Sequence, residues 1–224
     1  MTEITIEAVE QAIDVASDTV LRNEHYFSDL DGLAGDGDFG TSLATGFRVI
    51  KADLPTIDKS AIGAMLLKIS MLCSKHVGGS SGPIWGTGFM KAGMASKGKT
   101  AVTLEELAEM VNSAVEGIMA RGGAKLGDKT LLDALIPIAE TMKTLAPAGD
   151  AAALLRAVTE VADKAIDETR NLVAHRGRAS QVGERSANTP DPGIVGVATI
   201  LVDWCKHYGV DYTPVAAELN KQSV

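Results

Sequence analysis

Most of the 23 glycines in this 224-residue chain fall in four connections. They are "GLAGDGDFG" (32–40), "VGGSSGPIWGTG" (77–88), "RGGAKLGDKT" (121–130) and "HRGRASQVGERSANTPDPG" (175–193). Between them, apolar residues recur at helical spacing almost without interruption. A chain divided in this way is expected to be a set of helices joined by unusual turns, because glycine admits backbone conformations and close approaches that other residues resist.

The stripes are specific. Ile6, Val9, Ile13 and Val20 share one face of a first helix. Leu43, Phe47, Ile50 and Leu54 make a second stripe, and Ile62, Leu66 and Ile69 a third. Pro83, suited to a first turn, opens a fourth helix to about Ser96. Thr103 and Glu106 form a capping box ahead of Leu107, Val111 and Ile118. A sixth helix carries Leu131, Leu135, Ile138 and Met142, with Pro137 inside it as an expected kink. Asp150 caps a seventh through Leu172, and "GIVGVATILVDWCKHYG", apolar nearly all round, is a central eighth. A last short helix follows Thr213-Pro214. No alternating strand pattern exceeds a few residues. The fold class is therefore all-α, as a single domain over residues 1–224, with antiparallel neighbours wherever loops are short.

Aromatic residues are only 4% of the chain, so Ala, Leu, Ile, Val and Met must build the core. That mixture favours helix over sheet. The net charge of −8 argues against nucleic acid as a partner. No apolar run approaches the roughly 18 residues of a membrane span, and the N-terminus lacks the basic start of a signal peptide. Cys73 and Cys205 form no motif and read as reduced core residues of a cytoplasmic protein.

The loops carry the chemistry. A glycine-rich turn entering a helix presents backbone N–H groups and the positive end of the helix dipole, which suits phosphate. Asp31, Asp36 and Asp38 crowd the first loop. One of them, Asp38 as the nearest, can cap a helix. Three together need a hard cation, and an all-oxygen set suits Mg²⁺ better than Zn²⁺. Mg²⁺ is commonly held by carboxylates together with substrate phosphates. Acids and phosphate cradles thus make one site for a Mg-nucleotide, although no Walker A or protein-kinase glycine loop is present.

The segments "LDGLAGDGDFG" (30–40), "GGSSGPIWGTGF" (78–89), "RGGAKLGDKTLLDAL" (121–135) and "GRASQVGERSANTPDPG" (177–193) carry a family resemblance. With them the chain resembles the nucleotide-binding L subunit of dihydroxyacetone kinase, the DhaL or DAK2 family. The resemblance covers nearly the whole length. It implies a barrel of about eight antiparallel amphipathic helices, with ADP or ATP and two Mg²⁺ ions in the loops at one end. It places the metal ligands on Asp31, Asp36 and Asp38. Nucleotide contacts fall on Phe39, Gly40, Thr41, Ser42, Ser80, Ser81, Gly122 and Leu131, and on Arg178, Asp191, Pro192 and Gly193. Arg178 is the implied catalytic cation, a planar fork suited to a phosphate or to the base.

The implied activity is phosphoryl transfer to the hydroxyl of a small ketose, with a separate K subunit holding that ketose. The donor is ATP or a phosphotransferase-system phosphocarrier, and a homodimer is a further expectation. Phe39 stands where many phosphocarrier-dependent relatives have His. Two other readings stay open: a regulatory nucleotide module signalling to a transcription factor, and a kinase subunit for another acceptor such as erythrulose.

Lys129 either reaches a phosphate or is a solvated lysine at a helix start. Asp128 and Thr130 read as caps, Glu184 and Arg185 as an ion pair shaping the last loop, and His175 and Arg176 as surface or site-mouth residues. Trp85 reads as core or interface, the methionines from Met65 to Met94 as core, and His25, His76 and His207 as structural.

Overall fold

The hydroxyl of Thr5 accepts a hydrogen bond from the Ala8 N–H, and helix α1 runs from there over Ile6–Arg22. Asn23 leaves helical geometry (φ −102°, ψ 13°), and α2 resumes over Glu24–Gly32. The computed structural model describes residues 3–221. The remaining long helices are α3 (Phe39–Asp53), α4 (Ile62–His76), α5 (Ser81–Ala95), α6 (Leu104–Gly122), α7 (Leu132–Leu145), α8 (Ala151–Arg170) and α9 (Pro192–His207). A short α10 (Ala217–Asn220) follows Pro214 as expected. The capping box at Thr103 and Glu106 and the Asp150 cap are both formed. Strands β1 (Glu3–Thr5) and β2 (Ala101–Thr103) pair antiparallel, Ile4 opposite Val102.

Each helix packs on the next, and the ring closes: α1, α3, α4, α5, α6, α7, α8, α9 and back to α1. Side-chain bonds give the direction. The Trp204 Nε1–H donates to the Ala12 carbonyl at 2.9 Å and the Tyr208 hydroxyl to the Ala8 carbonyl at 3.2 Å, so α9 runs against α1. Lys51 reaches Asp14 and Asp18 on α1, while Arg48 reaches Glu24 on α2, so both run against α3. Helices α1 and α2 are therefore two lengths of one broken stave in an eight-stave barrel. The first stripe predicted only α1. Phe27 and Leu30, three apart and buried, are the signal that marks α2.

Alternating direction has one decisive consequence. Helices α3, α5, α7 and α9 all begin at the same end, so the four glycine-rich connections gather there. The β1–β2 pair and the turns at 54–56 and 146–148 lie at the other end.

The core lies inside the ring in two large clusters that share Phe39, Leu107 and Trp204 at their margins. Phe27 and Phe47 are fully buried, which at ordinary transfer values stabilises by about 1.5–3 kcal/mol each. Trp85 stands edge-on to Phe47, with ring centroids 5.7 Å apart. Helix α9 buries eleven residues, Gly193 through Val202 and Cys205, as its all-round apolar sequence predicts. The methionine stretch divides: Met65 is core, but Met71 and Met94 point outward because they lie on the outer faces of α4 and α5. Both cysteines are free and buried. Among the described residues no helix is long and apolar enough to cross a membrane.

Candidate functional site

The acidic turn is held from below by α2. The Gly35 and Ala34 N–H groups fold back onto the Asp31 carbonyl, and the Asp31 side chain then crosses the turn. Its Oδ2 accepts from the N–H groups of Asp38 (3.0 Å) and Phe39 (3.3 Å). Asp31 therefore caps the N-terminus of α3 from seven residues upstream. The expected cap, Asp38, makes no such side-chain bond and is left facing outward. Gly35 is required here, because a β-carbon on it would lie 2.8 Å from the Asp31 Cγ. Gly40 packs so closely on α2 that a β-carbon would lie 2.7 Å from the Ser28 N.

Asp31, Asp36 and Asp38 offer carboxylate oxygens that all lie within 4.8 Å of one another. Asp31 is half-buried, and Asp36 and Asp38 are exposed. Burial, reinforced by the charge of Asp36, raises the Asp31 carboxyl above its ordinary range against the hydrogen bonds that lower it. An oxygen-only set of this kind fits a hard divalent cation. The only protein cation paired with the cluster among the described residues is Arg178, whose Nη1 sits 2.8 Å from the Asp36 Oδ2. The first and fourth loops therefore meet at this point.

The other residues singled out in the sequence lie in the loops at this end of the barrel. Thr41 donates its N–H to the Ser28 Oγ at 3.2 Å. Ser42 lies under the second loop, where a β-carbon on Gly78 would fall 2.6 Å from its Oγ. Ser80 and Ser81 open α5. Gly122 ends α6 against Ile84, and Gly193 lies on Leu131 (3.1 Å from a built β-carbon to the Leu131 Cβ). Pro192 is the first residue of α9, and Asp191 caps it by accepting from the Ile194 N–H at 2.9 Å. Phe39 turns away from solvent, its ring 6.3 Å from that of Phe27 and against Gly196. It acts as a hydrophobic peg beneath the loop.

The third loop is built differently from expectation. Lys129 is 3% exposed, so it is not a solvated lysine. Nor does it face a phosphate: its Nζ donates to the carbonyls of Arg170, Leu172 and Ser186 at 2.7–2.9 Å. These partners are 41 to 57 residues away, so no local pattern could announce them. Asp128 accepts from the Lys125 N–H, Thr130 accepts from the Leu132 N–H, and Asp133 accepts from Gly127 and Thr130. Asp133 went unread in the sequence, although Thr130-x-x-Asp133 is a recognisable helix-start pattern. Among the described residues no ion pair joins Glu184 to Arg185; both side chains are exposed. His175 and Arg176 line an open cleft of about 650 Å³ with Gly123, Lys125, Leu126, Gly127 and Asp128, beside the main loops.

Asp191 carries a pH dependence. Burial, then the charge of Asp133, pushes its carboxyl from 3.8 up to about 7 against its N–H partners and Lys129. The folded state thus holds this proton more tightly than the unfolded chain. Its contribution to stability is complete below about pH 4 and is lost as pH rises through about 7. Asparagine caps nearly as well and does not titrate. Without ligand, Asp191→Asn should gain on the parent by roughly 2 kcal/mol between pH 5 and 8, or about 4–8 °C in Tm. Melting curves of both proteins across that range test this. A constant difference would place the carboxyl at its ordinary value.

Comparison with known proteins agrees with this architecture. Residues 33–206 match the DAK2 domain. The chain is 35% identical to the "PEP-dependent dihydroxyacetone kinase, ADP-binding subunit DhaL" of Escherichia coli K12, over 79% of this chain and 84% of that one. It is 35% identical to the corresponding subunit of kinase 2 of Listeria innocua, over 77% and 81%. It is 34% identical to an L-erythrulose kinase of Pectobacterium atrosepticum, over 86% of this chain but 33% of that longer one. The fold is similar to the native dihydroxyacetone kinase of C. freundii, with TM-score 0.70 at 24% identity, covering 89% of this chain and 34% of that one. The complex of that kinase with AMP-PNP and Mg²⁺ gives 0.68 at 23%, covering 89% and 33%. A barrel whose acidic and glycine-rich loops meet at one end, together with these likenesses, establishes that the chain belongs to the DAK2 domain family.

Proposed function

We propose that this chain is the Mg-nucleotide-binding subunit of a dihydroxyacetone kinase or a closely related ketose kinase, and that residues 1–224 form a single such domain. The observation that carries the reading is the convergence of Asp31, Asp36 and Asp38 with Arg178 at the mouth of the DAK2 barrel. The three aspartates would hold magnesium, two ions in this reading, which supplies positive charge against the phosphates of ADP or ATP. The nucleotide would lie over the backbone of Phe39 and Gly40, across Thr41, Ser42, Ser80, Ser81, Gly122 and Leu131, and against Asp191, Pro192 and Gly193, with the Phe39 ring beneath the loop. The N-termini of α3, α5 and α9 face this end, so their helix dipoles favour an anion there.

In phosphoryl transfer, catalysis is largely positioning and electrostatic stabilisation of the transferred group. Arg178 is the catalytic group in this assignment. Its exposed guanidinium can turn from Asp36 to spread phosphate charge over two N–H donors. By likeness to the DhaL subunits, which are parts of dihydroxyacetone kinases, the ketose would be held and activated on a separate K-type partner subunit. The free, buried Cys73 and Cys205 fit a reducing cytoplasm.

Two relatives named for L-erythrulose, at 34% and 31% identity, favour erythrulose as the alternative acceptor. The test is a coupled assay with a purified K subunit. ATP or a phosphorylated carrier is the donor, and dihydroxyacetone or erythrulose is the acceptor. Ketose phosphate formed only when both subunits are present is the expected result. Tight Mg-ADP binding without turnover under any combination would replace this reading with a regulatory nucleotide module.

A further inference from the structure

The connection between α8 and α9 carries Arg178 and is mostly exposed, yet its base is fastened at one buried point. The Lys129 ammonium donates to the Arg170 and Leu172 carbonyls, where the chain leaves α8, each at 2.9 Å. It also donates to the Ser186 carbonyl at 2.7 Å, where the chain returns. An ammonium has three N–H donors, so none is left for a ligand. Two more bonds close the same base: Asn188 N–H to the Arg170 carbonyl at 2.9 Å, and Ala174 N–H to the Ser186 Oγ at 2.8 Å. The backbone of Lys129 has φ +60°, a strained value for a residue with a side chain, and such strain persists where surroundings over-determine it.

We propose that Lys129 is a positioning residue: by closing the base of the 171–188 loop with its three bonds, it sets where the Arg178 guanidinium meets the phosphate end of the site. The inference rests on the Mg-nucleotide reading above. Lys129 belongs to the third glycine loop and Arg178 to the fourth, so the lysine makes these two loops one rigid unit. Burial lowers the affinity of this ammonium for its proton, and the nearby Asp191 carboxylate opposes that effect.

The test is a double-mutant cycle of Lys129→Met and Arg178→Ala, read by calorimetric titration with Mg-ADP and by trypsin. Trypsin reports on the loop because Arg176 and Arg185 remain cleavable in every variant. At a temperature where circular dichroism shows the helices intact, Lys129→Met should speed cleavage at these two sites about tenfold, through local opening. It should weaken Mg-ADP binding about tenfold in the parent but less than about twofold when Arg178 is already alanine, because coupled residues are not additive. Losses that multiply in full, or parental binding and cleavage, overturn the proposal.

Should Lys129→Met not fold, Lys129→Arg decides. A guanidinium fork cannot direct its donors at three convergent carbonyls. Faster loop cleavage, with a binding loss that vanishes in Arg178→Ala, is expected, and parental behaviour in both overturns the assignment. Loss of all Mg-ADP binding in the parent protein itself would instead refute the nucleotide reading.

Discussion

Asp36→Asn is expected to lower Mg-ADP affinity at least about 100-fold while leaving the fold intact. One carboxylate a few ångströms from a divalent ion contributes several kcal/mol even at an effective dielectric near 20, and about 1.4 kcal/mol is tenfold in affinity. The amide keeps the shape and removes the charge. In the ligand-free protein the same change breaks only the Arg178 pair, whose side chains are 57% and 38% exposed. Such surface pairs are worth about 0–1 kcal/mol. Melting temperature should therefore hold while calorimetric binding collapses. Tight Mg-ADP binding by this variant would remove the aspartate cluster from the site.

The second large effect concerns stability. The Asp163 carboxylate on α8 is 1% exposed and accepts three hydrogen bonds: the Tyr212 hydroxyl at 2.6 Å and the N–H groups of Val215 and Ala216 at 2.7 and 2.8 Å. It pins the segment that leads into α10. Asp163→Ala would leave buried donors without acceptors, a cost of about 1–3 kcal/mol each, and a total of about 3–5 kcal/mol is expected. For a chain of this size that is roughly 6–20 °C in Tm. Asp163→Asn keeps one acceptor oxygen and should lose less. Equal, small losses in both variants would show that the C-terminal segment adds little to the fold.

The long helices were legible because their signals are local. Apolar residues three and four apart, the Thr103 and Glu106 box and the Asp150 cap act within one or two turns, and each is formed where the spacing places it. The acidic cluster was legible for a related reason: Asp31, Asp36 and Asp38 lie within eight residues, so one turn brings them together. Helix α2 was missed because it is short and follows α1 after a single residue. The two merge into one stave only once α3 and α9 pack along both.

The sequence by itself determined that this is a helical chain with glycine-rich turns and three closely spaced carboxylates. Tertiary structure decided which turns share an end, that Arg178 stands over Asp36, that Asp31 caps α3 in place of Asp38, and that Lys129 is a buried staple. The physical reason is the range of the forces involved. Helical periodicity and capping act over a few residues and leave a pattern in the chain. A buried cation shared among backbone carbonyls from distant segments leaves none, since every residue carries the same carbonyl and only the fold selects which ones converge.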